Sequence, residues 1–411
     1  MRLAVAMLAG LLVSPAIHAE PWRFDIALDV TSVKGSQTKK IFHHLDSSGR
    51  RNIAATARGV AVIWEDDRDD TPRVYLAFKA HNEESFAAEQ QISGEGEAYE
   101  PTLIALRDNR VVAAWEEDGH VIARVVDFGD GARLGPMLRL SEKGGAQVTL
   151  AADKGGVVAL WSERAGRYGR IWAQRLQADG TGSLQPGADC AVDASPPRDE
   201  QLYPSAVLTD GRLAVAWEDR RLKHTIIMGA VERQGEPCRF SKPQRISEKP
   251  DGRNLPYGAG HGVSRVALGR FGEFGVFAAW ADKRDFRDGY DIWGAFLSPD
   301  KGRFGSNVKI QDDFGGLAKQ RHATVGGHVD GMLTVAWDDE REGHADVMLS
   351  WFEEGEWSED WPLPPASGLG EQSNPTILLD DKGDLHVAWV ERDEIGSLTR
   401  LRYALGRRQV D

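Results

Sequence analysis

An all-β fold, a seven-bladed β-propeller of four-stranded antiparallel blades, is predicted by three features of the 411-residue chain. An apolar segment ending in tryptophan recurs seven times, at Trp64, Trp115, Trp161, Trp217, Trp280, Trp337 and Trp389. Its copies lie 46 to 63 residues apart, and each has three further short apolar segments around it. The tryptophan segments, such as "VAVIW" and "LAVAW", are apolar on consecutive residues. A strand with both faces buried between neighbours reads that way, whereas a half-exposed one alternates. Radial repetition of such units leaves only short edges and is the architecture of a propeller.

Within a unit the segments order themselves. One often opened by proline comes first, as in "EPTLIAL" at Pro101, "YPSAVLT" at Pro204 and "NPTILLD" at Pro375; the tryptophan strand is second. A third follows the acidic turn, as in "RVYLAFKA" and "DIWGAFLS", and a shorter fourth, as in "PQRISEK", closes the unit. The N-terminal "WRFDIALDV" (22–30) has no partners of its own, while the seventh unit runs out after "LTRLRYALG". The N-terminal strand is therefore expected to complete the last blade. Residues 20–411 form one propeller domain on this reading.

Two residues after each tryptophan stands an acid: Asp66, Glu117, Glu163, Asp219, Asp282, Asp339 and Glu391. In six copies an arginine follows closely, at Arg68, Arg164, Arg220 with Arg221, Arg284, Arg341 and Arg392. A catalytic site is needed once, so a feature present in every unit serves the fold. The expectation is a carboxylate that accepts turn N–H groups and is gripped by the arginine. Calcium binding by "EDDRDD" (65–70) is opposed by the embedded Arg68.

The net charge of −13 is spread along the chain, which disfavours nucleic acid and anionic membranes as partners. Met1 and Arg2, the apolar "LAVAMLAGLLV" and the small-residue "SPAIHAE" read as a signal peptide over 1–19, cleaved after Ala19. About 11 apolar residues are too few for the roughly 20 of a spanning helix. A periplasmic or secreted monomer without a membrane span is expected. Cys190 and Cys238 are the only cysteines and are expected to pair in an oxidising compartment. No cofactor or metal is expected: "GAGHG" lacks a βαβ context, no HExxH or GxSxG occurs, and "FHH" at His43 and His44 is a weak signal.

The repeats "PSAVLTDGRLAVAWEDRR", "VFAAWADKRDFRDGYDIWGAFLSPDKG" and "NPTILLDDKGDLHVAWVERD" resemble those of bacterial secreted sialidase-like (BNR-type) propeller proteins. The family's Asp-box survives only as "SPDKGRF", with Ser298, Asp300 and Gly302 in place and Phe304 where threonine is expected. The sialidase Arg-Ile-Pro motif does not occur, and "GRRNIAA" offers Arg51 without the proline. The resemblance therefore implies the fold without the sialidase catalytic motifs.

Functional residues should differ between copies and lie where the first strands begin, on the axis. Those are Arg51, Asn52, Glu100, Tyr203, Arg321, His322 and Asn374, joined by Arg253, Tyr257, His261 and Arg265 of the longest inter-tryptophan segment. The expected role is non-catalytic binding of a protein or glycan ligand. The alternative is a sialidase-like glycoside hydrolase with Glu100 as acid or base, Tyr203 or Tyr257 as nucleophile, and Arg253, Arg265 and Arg321 holding a carboxylate.

Overall fold

The computed structural model describes residues 20–409 except 37, 46–48, 107, 130, 155, 250–261, 285–288, 299–300, 313, 315 and 394–398. The predicted signal peptide, Arg253, Tyr257, His261 and the Asp-box Asp300 lie outside the described residues.

Seven antiparallel sheets surround one axis. The tryptophan strands, Gly59–Asp66, Arg110–Glu117, Gly156–Ala165, Arg212–Asp219, Gly275–Asp282, Leu333–Asp339 and Leu385–Arg392, are second in blades 1 to 7. Trp22–Phe24 pairs with Thr399–Arg408, in register Trp22 to Arg408, so the chain's first strand closes its last blade. Trp22 is 1% exposed, and its indole N–H donates to the Gly383 carbonyl at 2.9 Å.

The core is seven apolar clusters, each lying between two adjacent blades. Every repeat tryptophan faces the preceding blade; Trp217, for example, packs against Leu160, Ile171 and Val158 of blade 3. This is why the second strands are apolar on both sides: each face meets a neighbouring sheet.

The acidic turns grip as expected, with one addition. In six blades the indole N–H donates to the acid two residues on, from Trp64 to Asp66 at 2.8 Å through Trp337 to Asp339 at 3.2 Å. In blade 7 Glu391 is drawn instead to Arg402 at 3.6 Å and Arg400 at 3.9 Å, and the Trp389 N–H has no acceptor among the described residues. Arg68 and Arg221 hold their aspartates through two nitrogens each, and Arg284 and Arg341 through one. Arg164 and Arg392 turn to Glu200 and Glu371 instead. In blade 2, which has no arginine, Glu117 accepts the N–H groups of Gly94 and Gly96.

Cys190 and Cys238 form a disulfide with Cα atoms 5.9 Å apart. They sit in the outer strands Leu184–Ala191 and Glu236–Phe240, so the bond staples blades 3 and 4 at the rim.

Candidate functional site

The first strands begin on the face that carries the acidic turns, and each makes the same irregularity there. In blades 2 to 7 one extra residue is inserted opposite the second strand, for example between Tyr99 and Thr102 or between Leu202 and Ser205. The residue at the bulge is left-handed: Glu100, Gln147, Tyr203, Arg265, His322 and Asn374 have φ between 48° and 61°. A non-glycine residue pays for that conformation unless its surroundings fix it. They do so through the residue just after the tryptophan. The Glu65 carboxylate accepts the Glu100 N–H at 2.5 Å, Glu116 accepts that of Gln147, and Glu218 accepts that of Arg265 at 2.8 Å. The Gln147 side-chain oxygen accepts the Tyr203 N–H at 2.9 Å.

Blade 1 departs from this pattern. His43 and His44 pair with Asp66 and Glu65, and the next paired residue is Ile53 with Val62, although the Asn52 carbonyl still accepts the Ile63 N–H at 2.9 Å. Gly49–Asn52 form an excursion that reaches the first strands of other blades. A Cβ on Gly49 would meet the Val266 carbonyl of blade 5 at 2.5 Å, and its φ of 82° favours glycine for a second reason. Thr149 donates to the Gly49 carbonyl at 2.8 Å, and Arg50 donates from Nε to the Val148 carbonyl at 3.0 Å. The Asn52 side chain, fully buried, donates to the Pro101 carbonyl at 2.9 Å. On the hairpin side of this excursion lie cavities lined by the first strands, with Gly49, Arg50 and Arg51 at one end.

At the mouth on the strand-start side, Arg50 is 2% exposed and bonds Glu100 at 2.5 Å. The half-buried Glu100 and Glu116 carboxyls act on each other at this mouth. Burial and the charge of Glu100 push the Glu116 carboxyl up to about 8, while burial of Glu100 is outweighed by Arg50 and by the Glu116 hydrogen bond, which hold it below the usual range. The pair thus shares one proton near neutrality. The Arg265 guanidinium lies 3.6 Å from the Tyr203 ring centre, and Arg50 lies 5.8 Å from it on its own approach. Burial also raises the Glu218 carboxyl.

The structure brings Glu100, Tyr203 and Arg265 together here. His322 bonds Asp338 at 2.8 Å on the blade 6 side, and Asn374 donates to the Leu45 carbonyl at 3.0 Å. Arg321 is placed elsewhere: its guanidinium lies 5.4 Å from the Tyr290 ring centre of blade 5. Arg51 lines the cavities on the hairpin side, sharing the smaller of them with Gly49 and Arg50. Sequence reasoning missed Arg50, Glu116 and Gln147. A signal for Glu116 existed: the residue after each tryptophan runs Glu, Glu, Ser, Glu, Ala, Asp, Val and so varies where the next residue does not. Among the described residues no three histidine, cysteine or acidic side chains form a metal-ligand group, and no helix is long and apolar enough to cross a membrane.

No protein-family model and no curated protein matches the chain. Solved structures do. A protein of unknown function from Dyadobacter fermentans is 10% identical, with a TM-score of 0.57 over 95% of this chain and all of that one. The Penicillium chrysogenum alpha-L-arabinanase complexed with arabinobiose is 14% identical, with a TM-score of 0.49 over 75% of this chain and 92% of that one. The GH93 alpha-L-arabinofuranosidase of Fusarium graminearum is 13% identical, also at 0.49, over 76% and 93%. At such identity what is shared is the propeller fold.

Proposed function

We propose that the protein is an exported propeller that binds a neutral, hydroxyl-rich ligand of the saccharide class at the strand-start mouth, without cleaving it. The observation that carries this reading is the cluster of Arg50 bonded to Glu100 at 2.5 Å, Glu116 beside it and Arg265 stacked on Tyr203 at 3.6 Å. A two-carboxyl glycosidase holds its carboxyls roughly 5–5.5 Å apart for retention or about 6.5–9.5 Å for inversion, whereas a sialidase pairs a tyrosine with one carboxyl. Carboxyls that share a proton lie only about 3 Å apart and leave no room between them for a glycosidic bond. Together they supply what a sugar hydroxyl needs, an O–H donor and an ionised acceptor, beside the Tyr203 ring and the Arg265 guanidinium. The resemblance of the repeats to sialidase-like propellers supports the ligand class, and the missing Arg-Ile-Pro supports the lack of hydrolysis.

Glycan-array binding of the purified protein tests the site. Arg265→Ala and Tyr203→Ala should each weaken every hit at least tenfold; hits that survive both place the binding surface elsewhere. Fluorogenic sialosides and arabinosides should show no turnover. Turnover abolished by Glu116→Gln would establish the hydrolase reading instead, with Glu116 as the acid. Export is supported by the pattern of residues 1–19, and a disulfide persists in an oxidising compartment. The exported chain should begin near Glu20, and N-terminal sequencing that returned Met1 would rule this out.

A further inference from the structure

Below the excursion, on the face of the hairpins that join first to second strands, the axis holds a second site that does not depend on the first. A cavity of about 270 Å³ runs between the later halves of the first strands, walled by Ala206, Leu208, Val325, Ile377 and Leu379. It shares Ala152, Arg270 and Asp381 with a wider vestibule of about 950 Å³ at the hairpin mouth. Arg51 lines the inner cavity and closes its deep end, because the excursion residues Gly49 and Arg50 lie directly behind it.

Arg51 differs from the other enclosed arginines. Arg50 has Glu100, Arg68 has Asp66 and Glu89, Arg221 has Asp219 and Asp193, and Arg341 has Asp339 and Asp360. Arg124, which has no acid, donates to the carbonyls of Gly135 and Ile92. The backbone of Arg51 is bonded, to Thr102 and Leu103, but no described side chain or carbonyl accepts from its guanidinium. Burial accordingly pushes that group below the usual arginine range, with nothing acting against it. The Arg51 side chain is partly buried and lines the cavity without an acidic partner among the described residues, so a bound carboxylate would supply one.

We propose that the hairpin-side cavity is a binding site for a small organic monocarboxylate, whose carboxylate pairs with Arg51 and whose apolar body lies between the first strands. The guanidinium fork matches a carboxylate in two parallel hydrogen bonds. Ala206, Leu208, Val325, Ile377 and Leu379 supply apolar surface for the ligand body, beside polar lining from Arg270, His328 and Asp381. Arg270 and Asp381 stand at the junction with the vestibule and together add no net charge there.

The test is calorimetric titration of the full mature protein with hexanoate and benzoate, with hexanamide, benzamide and inorganic phosphate in parallel. Carboxylates should bind at least tenfold more tightly than the matched amides and than phosphate. Arg51→Met should abolish that preference, while Tyr203→Ala, at the other mouth, should leave it within twofold. Equal binding of acid and amide by the wild-type protein, preference for phosphate, or unchanged hexanoate binding in Arg51→Met overturns the proposal. Should Arg51→Met not fold, Ala152→Phe, which narrows the cavity and leaves the charge, should lose hexanoate binding; retention of wild-type affinity overturns the proposal equally.

Discussion

Arg220 and Arg221 are adjacent in sequence and opposite in circumstance. Arg221 grips the fully buried Asp219 through Nε and a terminal nitrogen at 2.8 and 2.7 Å, while Arg220 is exposed. Asp219→Ala would strand the Trp217 N–H and leave Arg221 with Asp193 alone, a loss of about 2 kcal/mol. Arg220→Ala should fall within about 0.5 kcal/mol of wild type, as surface changes do. Chemical denaturation of the two variants checks the contrast. Glu116 gives a prediction of opposite sign to a usual carboxylate. Its pKa rises from 4.5 to about 8 on folding, so the folded state holds the proton more tightly across that window. The contribution is present below about 4.5 and is lost as pH rises through about 8. Melting temperature should therefore fall from pH 5 to 8 more steeply in the wild type than in Glu116→Gln, whose amide keeps a donor to Glu100 without titrating. Equal slopes would mean that the pair does not share a proton.

The element that decides whether the ring closes is the three-residue strand Trp22–Phe24. It supplies the outer edge of blade 7, and Trp22 fills the cluster between blades 6 and 7 with Trp351, Leu385 and Val387. Trp22→Ala removes a buried indole and its hydrogen bond to Gly383, at a cost of about 3–5 kcal/mol. Thermal unfolding measures it, and a loss below about 1 kcal/mol would show that the strand is dispensable to closure. The excursion Gly49–Asn52 is an element of a different kind. Its contacts reach blades 2, 3 and 5, and Asn52 keeps a hydrogen bond to the second strand of its own blade, from the Ile63 N–H.

Across the whole molecule, stability is a sum of seven blade interfaces, with one covalent staple. The Cys190–Cys238 bond spans 48 residues. On the loop-entropy account a bridge of that length stabilises by about 4 kcal/mol. Reduction should lower the unfolding midpoint by an amount of that order while leaving the far-UV β signal of the native state intact. An unchanged midpoint after verified reduction would show that the blade 3–4 interface, with Trp217 buried in it, suffices alone. The two axial mouths belong to this scale as well, since each is built by all the first strands together.

The repeat period, the consecutive apolar residues of the Trp217 strand and the unpartnered "WRFDIALDV" were enough to read seven blades and their closure from the chain. Each is a local statement: a strand buried on both faces must be apolar on both faces, wherever its neighbours come from. The candidate residues Glu100, Tyr203, Arg265, His322 and Asn374 were legible for the same reason, as variation at a fixed place in the repeat. Arg50, Arg51 and Glu116 were decided only by the tertiary structure. The segment Gly49–Asn52 has no counterpart in other units, so nothing periodic tells which of two adjacent arginines pairs with Glu100 and which lines the hairpin-side cavity. The proton shared by Glu100 and Glu116 likewise depends on a bulge turning one carboxyl toward the other across a closed ring, a distance that no spacing along the chain encodes.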